Sequence, residues 1–458
     1  MTDIIEIITA KIGAKAVMSG GDVSSRAISY WDSAPVQAKA ICKPASTQDV
    51  SEILKICSQY KQTVVTHGGR TTCVQGTNSA PNDIVISLER MTRISDIDLV
   101  GNTITVEAGA ILEKVQTAVL EHDRILPLDL GARGSCTIGG NLSTNAGGIN
   151  VIRYGMARAI TLGLEAVLPD GTIISSMNKM LKNNAGYDLK QLFIGTEGTL
   201  GIITKAVLRL EPKPLSKNTA LIALSGFASV PRLLNHFKTY LSGSLSAFEI
   251  MWGAYFQAVT ETGWHKAPME RHHPFYVLLE CDGADPVRDN DRFMEVIEQA
   301  FQADIIIDAI LPKSELERKN LWNIRDDFEA ILSPKPVYLY DVSLPISSME
   351  QYVETVQAKL LKYLPKAKLY TLGHIGDGNL HFFVQAPSKL ENTRRLSDIS
   401  IYEPLKEFKG SVSAEHGIGL EKKEWLQQSR SADEIALMRL LKQTLDPQNL
   451  LNPNLIFD

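Results

Sequence analysis

Long apolar runs are absent from this chain of 458 residues. No stretch approaches the ~20 consecutive apolar residues that span a bilayer, so no transmembrane segment is expected. Cysteine is scarce: five residues, Cys42, Cys57, Cys73, Cys136 and Cys281, scattered and odd in number. That excludes a disulfide framework and suits a reducing cytoplasm. Basic charge is not in excess, with 47 Lys and Arg against 52 Asp and Glu and a net charge of -5. A general nucleic-acid binder carries a basic footprint instead. Residues 1–20 have neither the charged start and apolar block of a signal peptide nor the arginines of a transit peptide, so a cytoplasmic location is expected. Tandem repeats and low-complexity tracts are missing too. What remains is globular in composition, 44% hydrophobic and 22% charged, and about three domain lengths at ~150 residues each.

Helical periodicity marks residues 3–12, 49–60 (capped by Ser46 and Thr47) and 111–121 in the first half. Strands are expected at 63–66, 84–88, 103–108 and 199–210, and a hairpin at 164–168 and 172–175 around the turn Pro169-Asp170-Gly171. Pro212 and Pro214 deny the backbone both helix and ladder, so a domain boundary is set there. Beyond it the texture changes. Strands are expected at 220–224, 275–280, 305–309, 338–344, 369–374 and 380–384, and helices at 288–302, 314–332, 347–364 and 432–444. This pattern predicts helices on one face of an antiparallel sheet.

Neither the GxGxxG dinucleotide fingerprint nor the GxxxxGK[ST] phosphate loop occurs. Two other glycine-rich blocks do. One is His67-Gly68-Gly69-Arg70-Thr71, following a predicted strand. The other runs from residue 131 to 148 and contains Thr137, Gly139, Gly140, Asn145, Gly147 and Gly148. Backbone N–H groups can reach a pyrophosphate where side chains do not intervene. Each glycine alone could serve only a turn; two such blocks in one domain point to a ligand.

Two compact motifs hold three of the nine histidines. In Gly373-His374-Ile375-Gly376-Asp377-Gly378-Asn379-Leu380-His381, a two-residue turn at Asp377-Gly378 would place His374 directly opposite His381. Opposed residues share one face with Cβ atoms ~4.5–5.5 Å apart, and two such imidazoles can grip a divalent ion; packing alone is the other reading. In Ser413-Ala414-Glu415-His416-Gly417, neighbours in an extended segment point opposite ways. Glu415 could thus complete a His₂Glu set while His416 faces a substrate as proton acceptor. A helix-start carboxylate beside a surface histidine remains the alternative.

The segments 137–141, 145–148 and Gly195-Thr196-Glu197-Gly198-Thr199-Leu200-Gly201 resemble the FAD domain of the vanillyl-alcohol oxidase/cresol methylhydroxylase superfamily. Together with the histidine motifs, the chain from about Ala38 onward resembles the flavin-dependent D-2-hydroxyacid dehydrogenases, a group that includes D-lactate dehydrogenase, D-2-hydroxyglutarate dehydrogenase and the large glycolate oxidase subunit. The resemblance implies an α+β protein: a two-part FAD-binding domain of the cresol methylhydroxylase type over 1–214, an antiparallel-sheet substrate and metal domain over 215–430, and a helix and tail over 431–458 returning toward the FAD domain. It implies FAD contacts at Gly68, Gly69, Arg70, Thr71, Thr137, Gly139, Gly140, Asn145, Gly147, Gly148, Glu197, Gly198, Ile203 and Asn452. Arg70 stands where covalent relatives place a linking histidine, so the FAD is expected to be non-covalent. Zinc or another divalent metal is implied at His374, His381 and Glu415. His416 is implied as the base and Arg325 as a grip on substrate carboxylate; an ion pair with Asp326, Asp327 or Glu329 is the competing reading of Arg325.

Three positions depart from the hydroxyglutarate enzymes. Leu339 stands in place of a lysine, Phe383 in place of an asparagine and Glu329 in place of a threonine. These changes favour a monocarboxylic substrate such as D-lactate over D-2-hydroxyglutarate. An FAD-containing transferase resembling alkylglycerone-phosphate synthase is the alternative from another class. The resemblance further implies a small-molecule substrate and an electron acceptor such as electron-transferring flavoprotein, a quinone or a cytochrome, through which the protein would sit peripherally at a membrane. A homodimer is left open.

Overall fold

The computed structural model describes residues 3–387 and 390–457. It divides into two compact units. The first contains the chain up to Gly147, Gly155–Lys213 and the chain from Glu415 on; the second contains Gly148–Tyr154 and Pro214–Ala414. The C-terminal segment of the first unit starts at Glu415, and Gly148, the last residue of the second glycine block, belongs with residues 149–154 to the second unit.

The first unit holds a four-stranded sheet in the order Val17–Ser19, Ala40–Cys42, Ile84–Ser87, Val64–His67. Its last three strands are parallel. Helix Thr47–Tyr60 makes the crossover, with the Ser46 hydroxyl accepting from Asp49 N and Lys61 closing its end in a left-handed conformation. Both Ala40–Cys42 and Ile84–Ser87 are buried at every position, as strands covered on both faces are. A five-stranded antiparallel sheet follows in the order Ile94–Asp98, Thr103–Glu107, Ile202–Arg209, Thr161–Val167, Ile173–Ser176. The expected hairpin is its edge, turning at Gly171 with φ +84°. One apolar core containing Ile53, Leu54, Ile84, Ile104, Leu164 and Leu208 joins the two sheets.

The second unit is built on a seven-stranded antiparallel sheet. Its order is Asp308–Ile310, Ser216–Leu224, Phe275–Gly283, Leu245–Trp252, Lys368–Gly373, Asn379–Gln385, Val337–Ser343. Leu245–Trp252, at the centre, is absent from the sequence-based expectation, as are helices Ser229–Tyr240, Gly253–Glu261 and Thr393–Tyr402. Phe275 through Cys281 are buried without alternation. Helices therefore cover both faces of the sheet and not one. Gly253–Glu261 and Glu315–Asp326 pack on the face of Leu221, Met251, Leu278 and Leu372, while Ser229–Tyr240 and Pro286–Gln302 pack on the other, where Phe237 meets Phe293. The helix expected over 314–332 stops at Asp326 and resumes as a short 3-10 turn at Glu329–Ile331. Among the described residues no helix is long and apolar enough to cross a membrane.

Candidate active site

Strand Val64–His67 delivers the first glycine block. His67 is buried, its Nε2 is 2.9 Å from Thr77 O, and burial pushes its pKa down to about 4. The chain then turns at Gly68-Gly69 against the second block. A Cβ on Gly68 would lie 2.6 Å from Thr137 Oγ1, and one on Gly69 would lie 2.2 Å from Ser135 O. The two glycine blocks therefore touch, and only glycine permits it. Arg70 follows at φ +56°, its Nη1 donating to Ala27 O at 2.6 Å. Among the described residues, the backbone N–H groups of residues 68–71 donate to no protein acceptor. Thr66 Oγ1 and His67 Nδ1 are buried without a partner. Unpaired donors and orphaned buried atoms around a side-chain-free turn fit a pyrophosphate-bearing cofactor.

The second block opens with Thr137, which caps helix Ile138–Ser143, and Gly139 packs directly on Ala108. Asn145, at φ +52°, accepts from Arg158 N at 2.9 Å, so its side chain shapes the loop. Ile203 lies in the core. Gly147 ends a stretch of the first unit, and Gly148, at φ +96°, is assigned to the second. Glu197 is left-handed at φ +52°. Its N–H donates to Ser143 O at 2.8 Å, and its carboxylate accepts from Ile418 N at 2.7 Å and Gly419 N at 2.9 Å. Asn452 reaches back to the same place: its Oδ1 accepts from Thr66 N at 2.8 Å and its Nδ2 donates to Glu197 O at 2.6 Å. Gly198 needs its missing side chain here, since a Cβ would lie 2.6 Å from Asn452 Nδ2. The tail is locked by buried Lys442, whose Nζ donates to Thr199 O at 2.9 Å, Leu451 O at 2.8 Å and Asp446 Oδ2 at 2.5 Å.

In the second unit the two histidines of the hairpin come together by a different register. His381 is paired with Leu372, and His374 lies beyond the strand end. The connection is a 3-10 turn, Ile375–Asp377, closed by Gly378 at φ +92°. Ile375 is fully buried, and a Cβ on Gly376 would lie 2.5 Å from Ile152, so packing draws the loop inward and a two-residue turn does not form. His374 nonetheless keeps the parity of Leu372, hence the face of His381. The two rings meet edge to face with centroids 5.2 Å apart.

Each ring faces a buried carboxylate. His374 Nδ1 is 2.8 Å from Glu249 Oε1, and Glu249, in the central strand Leu245–Trp252, also accepts from Arg325 Nε at 2.8 Å. Burial alone would raise the Glu249 carboxyl; the charges of His374 and Arg325 and their hydrogen bonds outweigh it and hold it below its usual range. His381 lies across from Asp341, Nδ1 to Oδ1 3.9 Å. Asp341 is fully buried and accepts from Asn379 Nδ2 at 2.8 Å and from Ala414 N at 3.1 Å. That bond fixes the end of the second unit. One peptide bond further stands Glu415, and ligand atoms of His374, His381 and Glu415 lie within 4.8 Å of one another.

Arg325 is buried rather than on a helix surface. Its Nε and Nη2 engage Glu249, and Nη1 lies 3.1 Å from Asp326, whose side chain is 56% exposed. Two residues along the strands from Asp341 and His381, Leu339 is paired with Phe383. Phe383 is buried against Phe328, ring centroids 5.3 Å apart. Glu249 and Asp341 went unassigned in the sequence. The available signals were a glutamate inside the apolar run Phe248-Glu249-Ile250-Met251 and an aspartate between Tyr340 and Val342.

Comparison with known proteins gives matches over nearly the whole chain. Residues 213–456 match the family "FAD linked oxidases, C-terminal domain", and residues 38–176 match "FAD binding domain". A putative mitochondrial D-lactate dehydrogenase of Schizosaccharomyces pombe is 37% identical over 90% of this chain and 80% of its own length. The mitochondrial D-2-hydroxyglutarate dehydrogenase of Bos taurus is 39% identical over 91% of this chain and 76% of its own length. Among solved structures, p-cresol methylhydroxylase with substrate bound aligns with a TM-score of 0.76 at 15% identity, covering 98% of this chain and 95% of that one. This last likeness concerns the fold.

Proposed function

We propose, from the premise that this chain belongs to the FAD-linked D-2-hydroxyacid dehydrogenase family, that it oxidises a monocarboxylic D-2-hydroxyacid to the 2-oxoacid. The observation behind the substrate choice is the Leu339–Phe383 pair beside Asp341 and His381. Those side chains offer no cation to a second carboxylate, and an unpaired buried carboxylate is costly. D-lactate or a longer apolar homologue suits that wall. D-2-hydroxyglutarate is the second reading, favoured by the name of the bovine relative.

His374, His381 and Glu415 would hold a divalent metal. Two imidazoles and a carboxylate are a common catalytic zinc set, and the Glu249 carboxylate on His374 orients its ring as metal-binding histidines require. When bound, such a metal would supply Lewis-acid polarisation of the substrate's oxygens, and FAD would supply a hydride acceptor. His416 removes the hydroxyl proton onto a ring nitrogen. Arg325 keeps Nε and Nη2 on Glu249 and exchanges the exposed Asp326 for the substrate carboxylate, because an exposed pair is worth little. The FAD is retained without a covalent bond: Arg70 follows the paired glycines, and His67 is buried against Thr77.

The test is anaerobic flavin reduction by a panel of D-2-hydroxyacids. Catalytic efficiency should favour D-lactate or an apolar homologue over D-2-hydroxyglutarate by about ten- to hundredfold, and Leu339→Lys should narrow the gap. A higher efficiency for D-2-hydroxyglutarate than for every monocarboxylic acid selects the second reading.

A further inference from the structure

We infer that Glu197 is the positioning residue for His416, an assignment that rests on the reading of His416 as the base. Resemblance alone makes Glu197 a cofactor contact. Its polar groups are engaged elsewhere in the same unit. The N–H binds Ser143 O, the carbonyl accepts from Asn452, and the carboxylate takes the two successive N–H groups of Ile418 and Gly419. Two amides on one carboxylate form a nest that fixes position and direction together. Ile418 is two residues past His416.

The turn has no slack around that contact. Gly417 stands at φ +85°, and a Cβ there would lie 2.8 Å from Glu197 Cδ. Gly419 stands at φ +54°, and a Cβ there would lie 2.0 Å from Val74 O. Leu420 N then donates to Val74 O at 3.0 Å. The backbone after His416 is therefore clasped between the Glu197 carboxylate and Val74. Glu197 is itself left-handed at φ +52°, a conformation that a non-glycine residue adopts only under constraint. Glycine would relieve that strain and lose the nest. Proton abstraction needs the ring nitrogen near the substrate hydroxyl, and a shift of ~1 Å can cost about a hundredfold in rate.

The experiment compares Glu197→Gln, Glu197→Gly and His416→Ala in the full-length, FAD-loaded protein. Glutamine keeps the length of the side chain but offers one oxygen to two donors. Glycine removes the carboxylate while suiting φ +52°. Both Glu197 variants should bind FAD at wild-type stoichiometry and keep KM within about threefold, while flavin reduction per bound flavin slows by about ten- to hundredfold. His416→Ala should be slower still. Wild-type reduction in Glu197→Gln with His416→Ala inactive overturns the positioning role alone. Wild-type reduction in His416→Ala overturns the base assignment and the inference with it. Loss of FAD from both Glu197 variants, or failure of both to fold by circular dichroism, assigns Glu197 to flavin retention or stability and overturns the inference.

Discussion

In the first unit the backbone N–H donors of residues 68–71 are left unpaired among the described residues, and the nearby side chains are tied to the chain itself: Arg70 to Ala27, Asn145 to Arg158, Asn452 to Glu197. In the second unit the groups brought together are side chains, and the backbone only carries them. There the buried Glu249 carboxylate orients His374, and the buried Asp341 carboxylate faces His381. The difference teaches where each site is vulnerable. A backbone cradle fails when an atom is added, whereas a side-chain cluster fails when a charge or a ring is removed.

The largest expected effect tests the second kind. His381→Ala should abolish metal binding and lower activity by about a thousandfold or more while FAD stays bound. Metal analysis, flavin absorbance and turnover on one preparation check it, and full activity with full metal would end the side-chain account. Glu249→Gln removes the carboxylate that orients His374 but no ligand. Metal affinity should fall by about ten- to hundredfold, read by competition with a chromogenic chelator. Adding a single methyl group tests the first kind: Gly69→Ala places a Cβ 2.2 Å from Ser135 O and should weaken FAD retention at least tenfold, about 1.4 kcal/mol, without touching metal content. Smallest of all, Thr71→Ala alters a side chain in a loop whose backbone is proposed to do the binding, so FAD affinity should stay within about threefold. A large loss there would make the cradle a side-chain site and erase the contrast.

The same contrast explains what was legible in the sequence. Glycine loops announce themselves, because close approach demands glycine locally, and residues 68–69 and 139–140 could be marked without knowing the fold. The histidine pair was legible for another reason. Parity along a strand survives a shift of two residues, so His374 and His381 meet although Leu372, and not His374, is the cross-strand partner of His381. Burial of Ile375 decided the turn, and burial is a tertiary property. The strand Leu245–Trp252 was missed because it is apolar at nearly every position and shows no alternation; Glu249 was lost with it. Likewise, helices on the second face of the sheet could not be told from the pattern of its edge strands.

The pairing of the tail with strand Val64–His67 sets an order of events in biosynthesis. Val64 N donates to Leu450 O and Asn452 N donates to Val64 O, both at 2.8 Å. The strand that leads into the first glycine block therefore has one neighbour, Ile84–Ser87, early in translation, and its other neighbour, Leu450–Asn452, much later. At ~5–20 residues per second, the wait between the two is on the order of 20–80 s. Throughout that interval the edge of Val64–His67 is open to other chains, and the loop after it has no Asn452 to hold Thr66. Flavin uptake is accordingly expected only once Leu450–Asn452 has docked beside this strand.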